Sequence, residues 1–338
     1  MHAWQNTLEW GLEHLEMVEL PDPPLPGPGQ ALVQVHAAAS NYRDVTTVTN
    51  AFPLGRLPQI PLSDCAGEVI AIGVDTIRVG PGDRVCPTFF RDWLTGPPTN
   101  ENRLKARGSA STPGVLQERL LINAEELVKI PDHLSYVEAA TLPCAAVTAW
   151  RALVTCARVR AGMTVVVQGT GGVSLFALQF AKLHGATVIL TSSSDAKLER
   201  GRTLGADHLI NYRDCPEWGQ RVLEQTGGRG ADIVVEVGGA GTINQSLTAA
   251  RVGGQICIIG VLGGRTQELA MSAIFGRNLH LHGISVGSRD DFEAMNRAIA
   301  ASGMRPVIDE VVPFHKAPDA LHIQRGGTQF GKICIAFN

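Results

Sequence analysis

Apolar and polar positions change rhythm twice along the chain. Up to about residue 120, short apolar runs alternate with Gly and Pro turns. Residues 31–38, 63–72 and 116–122 read as strands, with Gly67 inside the second, and the turn Gly80-Pro81-Gly82-Asp83 introduces another short strand within 79–85. Such spacing predicts a small β-rich domain. Residues 91–114 are polar and turn-rich and are expected to form a long surface loop. From residue 164 the period changes. Strand patterns at 164–167, 187–190, 209–210, 232–236, 255–259 and 279–284 are separated by helical patterns at 173–183, 195–204, 217–225 and 242–250. After a helical pattern at 292–300, strands at 307–311 and 332–335 restore the β texture.

Strands alternating with helices of this length imply a parallel sheet covered on both faces. Two βαβαβ halves would make the doubly wound sheet that binds dinucleotides. The expected class is therefore α/β, with domains at 126–289 and, discontinuously, at 1–125 plus 290–338.

The strand Val165-Val166-Val167 runs into Gln168-Gly169-Thr170-Gly171-Gly172-Val173-Ser174. Gly169 would make the tight turn and Gly171 would let backbone approach a pyrophosphate. A helix opening at Gly172 would aim unpaired N–H groups at it, so Gly169, Thr170, Gly171, Gly172 and Val173 are candidate cofactor contacts. Ser174 stands where the third glycine of G-x-G-x-x-G is expected, and it is small enough to be tolerated. The second strand ends in Ser192-Ser193-Ser194, with no carboxylate before Asp195. An NAD site places an acid there for the ribose 2′-OH. Neutral Ser192 and Ser193, with Lys197 or Arg200 in reach, favour NADP, with NAD as the alternative; Asp195 is expected to cap the next helix. Two later turns, Val237-Gly238-Gly239 and Gly260-Val261-Leu262, follow the fourth and fifth strands and would face the nicotinamide half.

Taken together, Ser40-Asn41-Tyr42-Arg43-Asp44, Ala66-Gly67-Glu68-Val69, Val79-Gly80-Pro81-Gly82-Asp83-Arg84-Val85, Ala140-Thr141-Leu142-Pro143-Cys144-Ala145 with Thr148-Ala149-Trp150, Gly205-Ala206-Asp207 and Gly331-Lys332 resemble the medium-chain dehydrogenase/reductase superfamily, in its zinc-independent quinone oxidoreductase-like branch. The resemblance runs through nearly the whole chain. It implies a Rossmann domain inserted into a split, GroES-like catalytic domain, and hydride transfer from a nicotinamide. It also implies that Tyr212 and Lys197 contact the adenosine phosphate end. By the same likeness Thr148 and the segment 285–289, with Ser285, Val286 and Gly287 as its cofactor contacts and Gly283 before it, lie near the nicotinamide, and Asn41 and Tyr42 belong to the active-site segment. A homodimer or homotetramer is the family's usual state, with residues 279–284 a candidate pairing edge.

Zinc-dependent relatives would place Cys, a His-Glu pair and a second Cys around the ion. Here those positions carry Ser40-Asn41, Ser63-Asp64 and Cys144, and a catalytic zinc needs three protein ligands. No metal is therefore expected. The ten histidines are dispersed, although His280 and His282 would share one side of a strand.

Composition narrows the remaining classes. The chain has 338 residues, enough for about two domains, with 44% apolar and 18% charged positions, as in a compact soluble protein. A net charge of -3 gives no footprint for nucleic acid, and no membrane span or signal peptide is visible. The seven cysteines show no close pairing, which suits reduced thiols in the cytoplasm. Without a Lewis acid, a conjugated acceptor is the easier hydride recipient, because charge spreads to its oxygen. Tyr42 is then the candidate proton source and Asn41 the orienting residue, with Arg43 and Asp44 pairing to fix the segment. The expected activity is NADPH-dependent reduction of a quinone or other α,β-unsaturated carbonyl compound. A zinc-free alcohol dehydrogenase or carbonyl reductase, and a non-enzymatic nucleotide-binding protein resembling lens crystallins, are the alternatives.

Overall fold

Strand-forming runs that are apolar at every position must be covered on both faces, and those with alternating polarity on one. Both kinds occur. In the computed structural model, which describes residues 1–51, 55–109 and 111–337, the strands are β1 (His2–Asn6), β2 (Leu15–Glu19), β3 (Gln30–Ser40), β4 (Asp64–Ile72), β5 (Arg84–Pro87), β6 (Arg119–Asn123), β7 (Leu127–Lys129), β8 (Thr164–Gln168), β9 (Thr187–Ser192), β10 (His208–Asn211), β11 (Ala231–Glu236), β12 (Ala250–Ile258), β13 (His280–Gly283), β14 (Ile308–Pro313) and β15 (Lys332–Ala336). The chain divides into two units, 1–147 with 287–338, and 148–286. Residues 126–147 and 287–289 thus group with the first unit rather than with the second.

In the first unit a seven-stranded sheet runs β14-β15-β3-β4-β5-β7, with β6 also paired to β3. The long strand β3 is its spine. Its small residues Ala37, Ala38 and Ala39 are fully buried where β15 and β4 flank it. Val33, Val35, Leu62, Val69, Leu116, Ile333 and Ile335 build the core, each contributing about 1.5–3 kcal/mol on burial. The antiparallel pair β1–β2 forms a separate ribbon. Two β15 features matter for the site. Its parallel partner β14 and antiparallel partner β3 fix its register, and Ile333 sits opposite Ser40, so Lys332 lies beside the end of β3.

The second unit is a parallel sheet in the order β10-β9-β8-β11-β12-β13. The order reverses between β8 and β11, which opens a crevice past their carboxyl ends. Val165, Val166, Val167, Ile233, Val234 and Val235 are fully buried, as a sheet covered on both faces requires.

Most described positions of residues 91–114 form the expected surface loop, with 95–101 and 103–105 exposed, but parts of it turn inward. Trp93 and Arg107 are buried, and a short helix, Asn100–Arg103, interrupts the segment. The polar composition conceals an internal ion pair: Arg107 pairs with the buried Glu126, which Arg91 Nε also reaches at 3.0 Å. Helices Tyr42–Val48 and Ala317–Gly326 go beyond the expected elements, as do the π-helical turns Leu142–Ala146 and Arg151–Cys156. Among the described residues no helix is long and apolar enough to cross a membrane.

Candidate active site and cofactor cradle

At the end of β8 the chain turns at Gly169 with φ +70°, a left-handed conformation that costs glycine little. Gly171 follows with ordinary dihedrals, yet a Cβ placed on it would meet nothing within 4 Å. Any side chain there would occupy open volume outside the turn. Gly171 is also the N-cap of the helix Gly172–Leu183, and no side chain caps it. The first N–H groups and the positive end of the helix therefore address that same volume, which is what a pyrophosphate needs. Thr170 is buried within the turn, and Gly172 and Val173 are half-buried. Ser174 has a specific task. Its hydroxyl donates to the Gln168 carbonyl at 2.7 Å, tying the helix start back to the strand end.

The end of β9 gathers the second set. Ser192 pairs in register with Asn211, and its carbonyl accepts from the Tyr212 N–H at 3.0 Å. Ser193 and Lys197 are half-buried, and Tyr212 is exposed. Ser192, Ser193, Lys197 and Tyr212 are thus brought to one corner of the sheet. The helix cap is Ser194, whose hydroxyl accepts from the Lys197 N–H, and not Asp195 as expected. Asp195 is the first helical residue and its carboxylate accepts from Asn211 Nδ2 at 2.8 Å.

The two later glycine turns are hydrogen-bonded to each other. Gly263 N–H donates to Gly238 O at 2.6 Å, Leu262 N–H to Val237 O at 3.3 Å and Ala240 N–H to Gly264 O at 3.1 Å. A Cβ on Gly238 would stand 2.4 Å from Thr242 Oγ1, and one on Gly260 2.4 Å from Val237 O, so close approach explains both glycines. Val261 and Leu262 are exposed beside them. Beyond β13, Ser285 is half-buried and Val286 is buried at φ +53°, a strained conformation for a β-branched residue. Thr148 is buried in the same unit. Asn41, Tyr42 and Gly287 belong to the first unit. Gly287 is there because a Cβ would meet Val147 Cγ1 at 2.8 Å and Asp291 Oδ2 at 2.9 Å.

The first unit holds a buried polar centre where β15, β3 and β4 end side by side. Lys332 Nζ donates to the Ser40 carbonyl and, at 2.7 Å, to Asn41 Oδ1. Asp64 lies opposite Ala39, accepts from Ser63 Oγ at 2.6 Å and from the Cys144 N–H at 3.1 Å. Burial raises the Asp64 carboxyl above its ordinary value; the Lys332 ammonium opposes this most, followed by the Ser63 hydroxyl and the Asn41 carboxamide. Asn41 Nδ2 is buried and, among the described residues, outside hydrogen-bond distance and angle of any group. Asp44 accepts from the Asn41 N–H at 2.8 Å and from Arg43 Nη1 at 3.1 Å, so the expected Arg43–Asp44 pair is present. Desolvation raises Asp44 to about 6 against the pull of Arg43. Arg43 continues to the Arg107 carbonyl at 2.7 Å and covers the Phe89 ring. Tyr42, the first residue of its helix, is 46% exposed.

These residues do not fit a catalytic zinc. Cys144 and Asp64 are the thiol and carboxylate that meet here, fewer than the three protein ligands a catalytic zinc takes. An ammonium stands among the remaining donors. Among the described residues no group of three or more His, Cys, Asp or Glu could hold a metal ion. His280 and His282 share one side of β13 and stack at 6.4 Å, and His282 Nε2 meets Gln255 Oε1 at 3.0 Å.

Residues 27–132 match the alcohol dehydrogenase GroES-like domain, and residues 172–301 match the zinc-binding dehydrogenase family. A zinc-type alcohol dehydrogenase-like protein of Schizosaccharomyces pombe is 40% identical over 332 residues, covering 96% of both chains. The chain belongs to the medium-chain dehydrogenase/reductase superfamily. It is an oxidoreductase of that superfamily, with the GroES-like and Rossmann-like architecture seen here. A quinone oxidoreductase of Pongo abelii is 27% identical, over 92% of this chain and 90% of its own. Among solved structures, a putative alcohol dehydrogenase from Sinorhizobium meliloti 1021 superposes with a TM-score of 0.93 at 40% identity, over 99% of this chain and 98% of that one. A 2-octenoyl-CoA carboxylase reductase in complex with NADP and 2-octenoyl-CoA superposes at 0.86 with 26% identity, over 99% and 87% of the two chains.

Three polar residues at the heart of these sites escape a reading of the sequence. Lys332 stands in the sequence only as part of a family marker, and its partners lie 291 and 292 positions away. Gln168 and Glu236 close the apolar runs Val165-Val166-Val167 and Ile233-Val234-Val235, and that is the signal that could have found them: a buried polar side chain at the end of such a run needs a partner.

Proposed function

We propose that this oxidoreductase uses NADPH to reduce a quinone or another α,β-unsaturated carbonyl compound, without zinc. The observation that carries the cofactor choice is the corner at the end of β9. Ser192, Ser193, Lys197 and Tyr212 meet there, and the nearest acid, Asp195, is engaged by Asn211. Hydroxyls and an ammonium suit a 2′-phosphate, which a carboxylate would repel. The solved NADP complex of a related reductase supports the same choice. In this reading Gly169, Thr170, Gly171, Gly172 and Val173 hold the pyrophosphate. Thr148, Val237, Gly238, Gly260, Val261, Leu262, Ser285, Val286 and Gly287 shape the nicotinamide end.

Bound NADPH supplies the hydride. The Tyr42 hydroxyl supplies the proton that completes reduction, and its exposure leaves it able to exchange that proton with solvent. Asn41 orients the reactants, with its carboxamide oxygen held by Lys332. A conjugated acceptor suits this site because the incoming charge spreads to an oxygen that hydrogen-bond donors can stabilise. A second reading is a zinc-free alcohol dehydrogenase or carbonyl reductase; the names of the 40%-identical relatives favour its alcohol dehydrogenase part and not its freedom from zinc. We place the protein in the cytoplasm as a homodimer or homotetramer. The edge strand β13, with Met271 and Phe275 exposed on the helix that precedes it, supports that assembly.

Steady-state turnover tests the proposal. NADPH-dependent reduction of 1,4-benzoquinone and 2-cyclohexenone, unchanged by a zinc chelator, is the expected result. Turnover of simple alcohols alone, dependent on added zinc, overturns it. NADPH binding with no hydride transfer to either class would instead favour a non-enzymatic nucleotide-binding role.

A further inference from the structure

The crevice of the second unit is framed by two turns, 169–172 after β8 and 237–239 after β11. The residues that close the two strands are joined. Gln168 Nε2 donates to Glu236 Oε2 at 2.7 Å and lies 2.8 Å from Ser246 Oγ. Gln168 Oε1 accepts from the N–H groups of Val237 at 3.2 Å and Gly238 at 3.4 Å. Glu236 is fully buried. Its Oε1 accepts from Gly238 N–H at 2.8 Å, Gly239 N–H at 2.9 Å and Thr242 Oγ1 at 2.6 Å, and its Oε2 also accepts from Ser246 Oγ. A carboxylate offers about four lone-pair positions, and five donors converge on this one. The Gln168 carbonyl receives the Ser174 hydroxyl that ties down the helix start.

We infer that Gln168 and Glu236 are positioning residues for the dinucleotide: they lock the turn at 237–239 to the turn at 169–172, so that the two cofactor contacts are set at a fixed separation before ligand arrives. The inference rests on the NADPH reading above. Its logic is the consumption of donors. The N–H groups of Val237, Gly238 and Gly239 all point inward at Gln168 and Glu236, so this turn meets a ligand by shape and not by amide hydrogen bonds. Its position must then be held from behind. Neither side chain needs to touch the cofactor.

The test is an exchange of the amide and the acid. Glu236→Gln alone replaces an acceptor oxygen by an NH2 group among inward-pointing donors. The double variant Gln168→Glu/Glu236→Gln restores complementarity. In it, the carboxamide now at position 236 would still accept from Gly238, Gly239 and Thr242 while donating across to the carboxylate now at position 168. That carboxylate would still accept from Val237 and Gly238. Binding is read by fluorescence titration with NADPH and with 2′,5′-ADP, which carries only the adenosine half. Expected is a loss of about tenfold or more in NADPH affinity for Glu236→Gln, the scale of one charge-assisted hydrogen bond. The affinity for 2′,5′-ADP should stay within about twofold, and the double variant should recover most of the NADPH affinity. Equal loss of both ligands, unchanged NADPH binding, or no recovery in the exchange would each overturn the inference. If Glu236→Gln does not fold, Gln168→Met gives the same comparison. Failure of the wild type to bind NADPH at all would instead defeat the cofactor reading.

Discussion

Replacing Lys332 by Met keeps an unbranched chain of similar length and removes one buried ammonium. The side chain is 3% exposed, so almost none of its charge is shared with water. Its loss leaves the Ser40 carbonyl and Asn41 Oδ1 without their donor and takes from Asp64 the cation that most opposes its raised pKa. Two charge-assisted hydrogen bonds at about 1.5–3 kcal/mol each suggest about 3–6 kcal/mol. Breaking a buried charge pair by deleting one partner typically costs about 3–5 kcal/mol, and we expect Lys332→Met to fall there. Guanidinium denaturation followed by fluorescence and circular dichroism measures it. The sharper measurement is a cycle with Asp64→Asn. If Lys332 balances Asp64, the double variant should be more stable than Lys332→Met by at least about 1 kcal/mol, because no lone carboxylate remains buried. A cost below about 1 kcal/mol for Lys332→Met, or strict additivity in the cycle, would refute the reasoning.

Gly171→Val should fold normally, since the φ of -78° suits any residue and a Cβ meets no protein atom, but NADPH affinity should fall by about 100-fold or more; calorimetric titration checks both arms. Ser193→Asp should weaken NADPH about tenfold or more while leaving NADH affinity unchanged or improved, read by parallel titrations. Asp44 yields a pH signature. Its folded carboxyl takes a proton below about 6 and the unfolded one near ~3.9, so between these values the folded state binds more protons. Its contribution to stability therefore falls as pH rises from about 4 to 6, by up to about 3 kcal/mol, and denaturation midpoints of Asp44→Asn should improve relative to wild type across that window.

Legibility in the sequence followed the physics of burial. The six strands of the nucleotide-binding sheet were legible because runs such as Val165-Val166-Val167 and Ile233-Val234-Val235 are apolar on both faces and bounded by glycine. The turn residues Gly169, Gly171, Val237, Gly238 and Gly260 fall where the pattern placed them. The turns at Leu142–Ala146 and Arg151–Cys156 were not legible, because most residues in the first are buried and the second carries no clear polar face, so no 3.6-residue alternation survives. Within the surface loop 91–114, buried Arg107 was not legible, because its partner Glu126 lies outside the segment and the two satisfy each other inside. Asp195 misled by one position: serine and aspartate are both good caps, and the chain used Ser194. Lys332 and Glu236 were invisible in their roles because their partners are distant in sequence or are backbone groups of a turn.

The bond from Ser174 to the Gln168 carbonyl closes residues 168–174 into a small ring. A glycine at that position would remove this tie and leave the loop to the Gly169 N–H bond to the Thr191 carbonyl and the helix's own ladder. With the ring closed, the conformational entropy of the phosphate-binding turn is lost when the chain folds and not when a nucleotide arrives. Association should then approach a lock-and-key process at this turn, with little reordering on binding: the bonded Gly169 and Leu175 amides should exchange slowly in the ligand-free protein, while the open amides at the helix start gain protection only when a nucleotide binds.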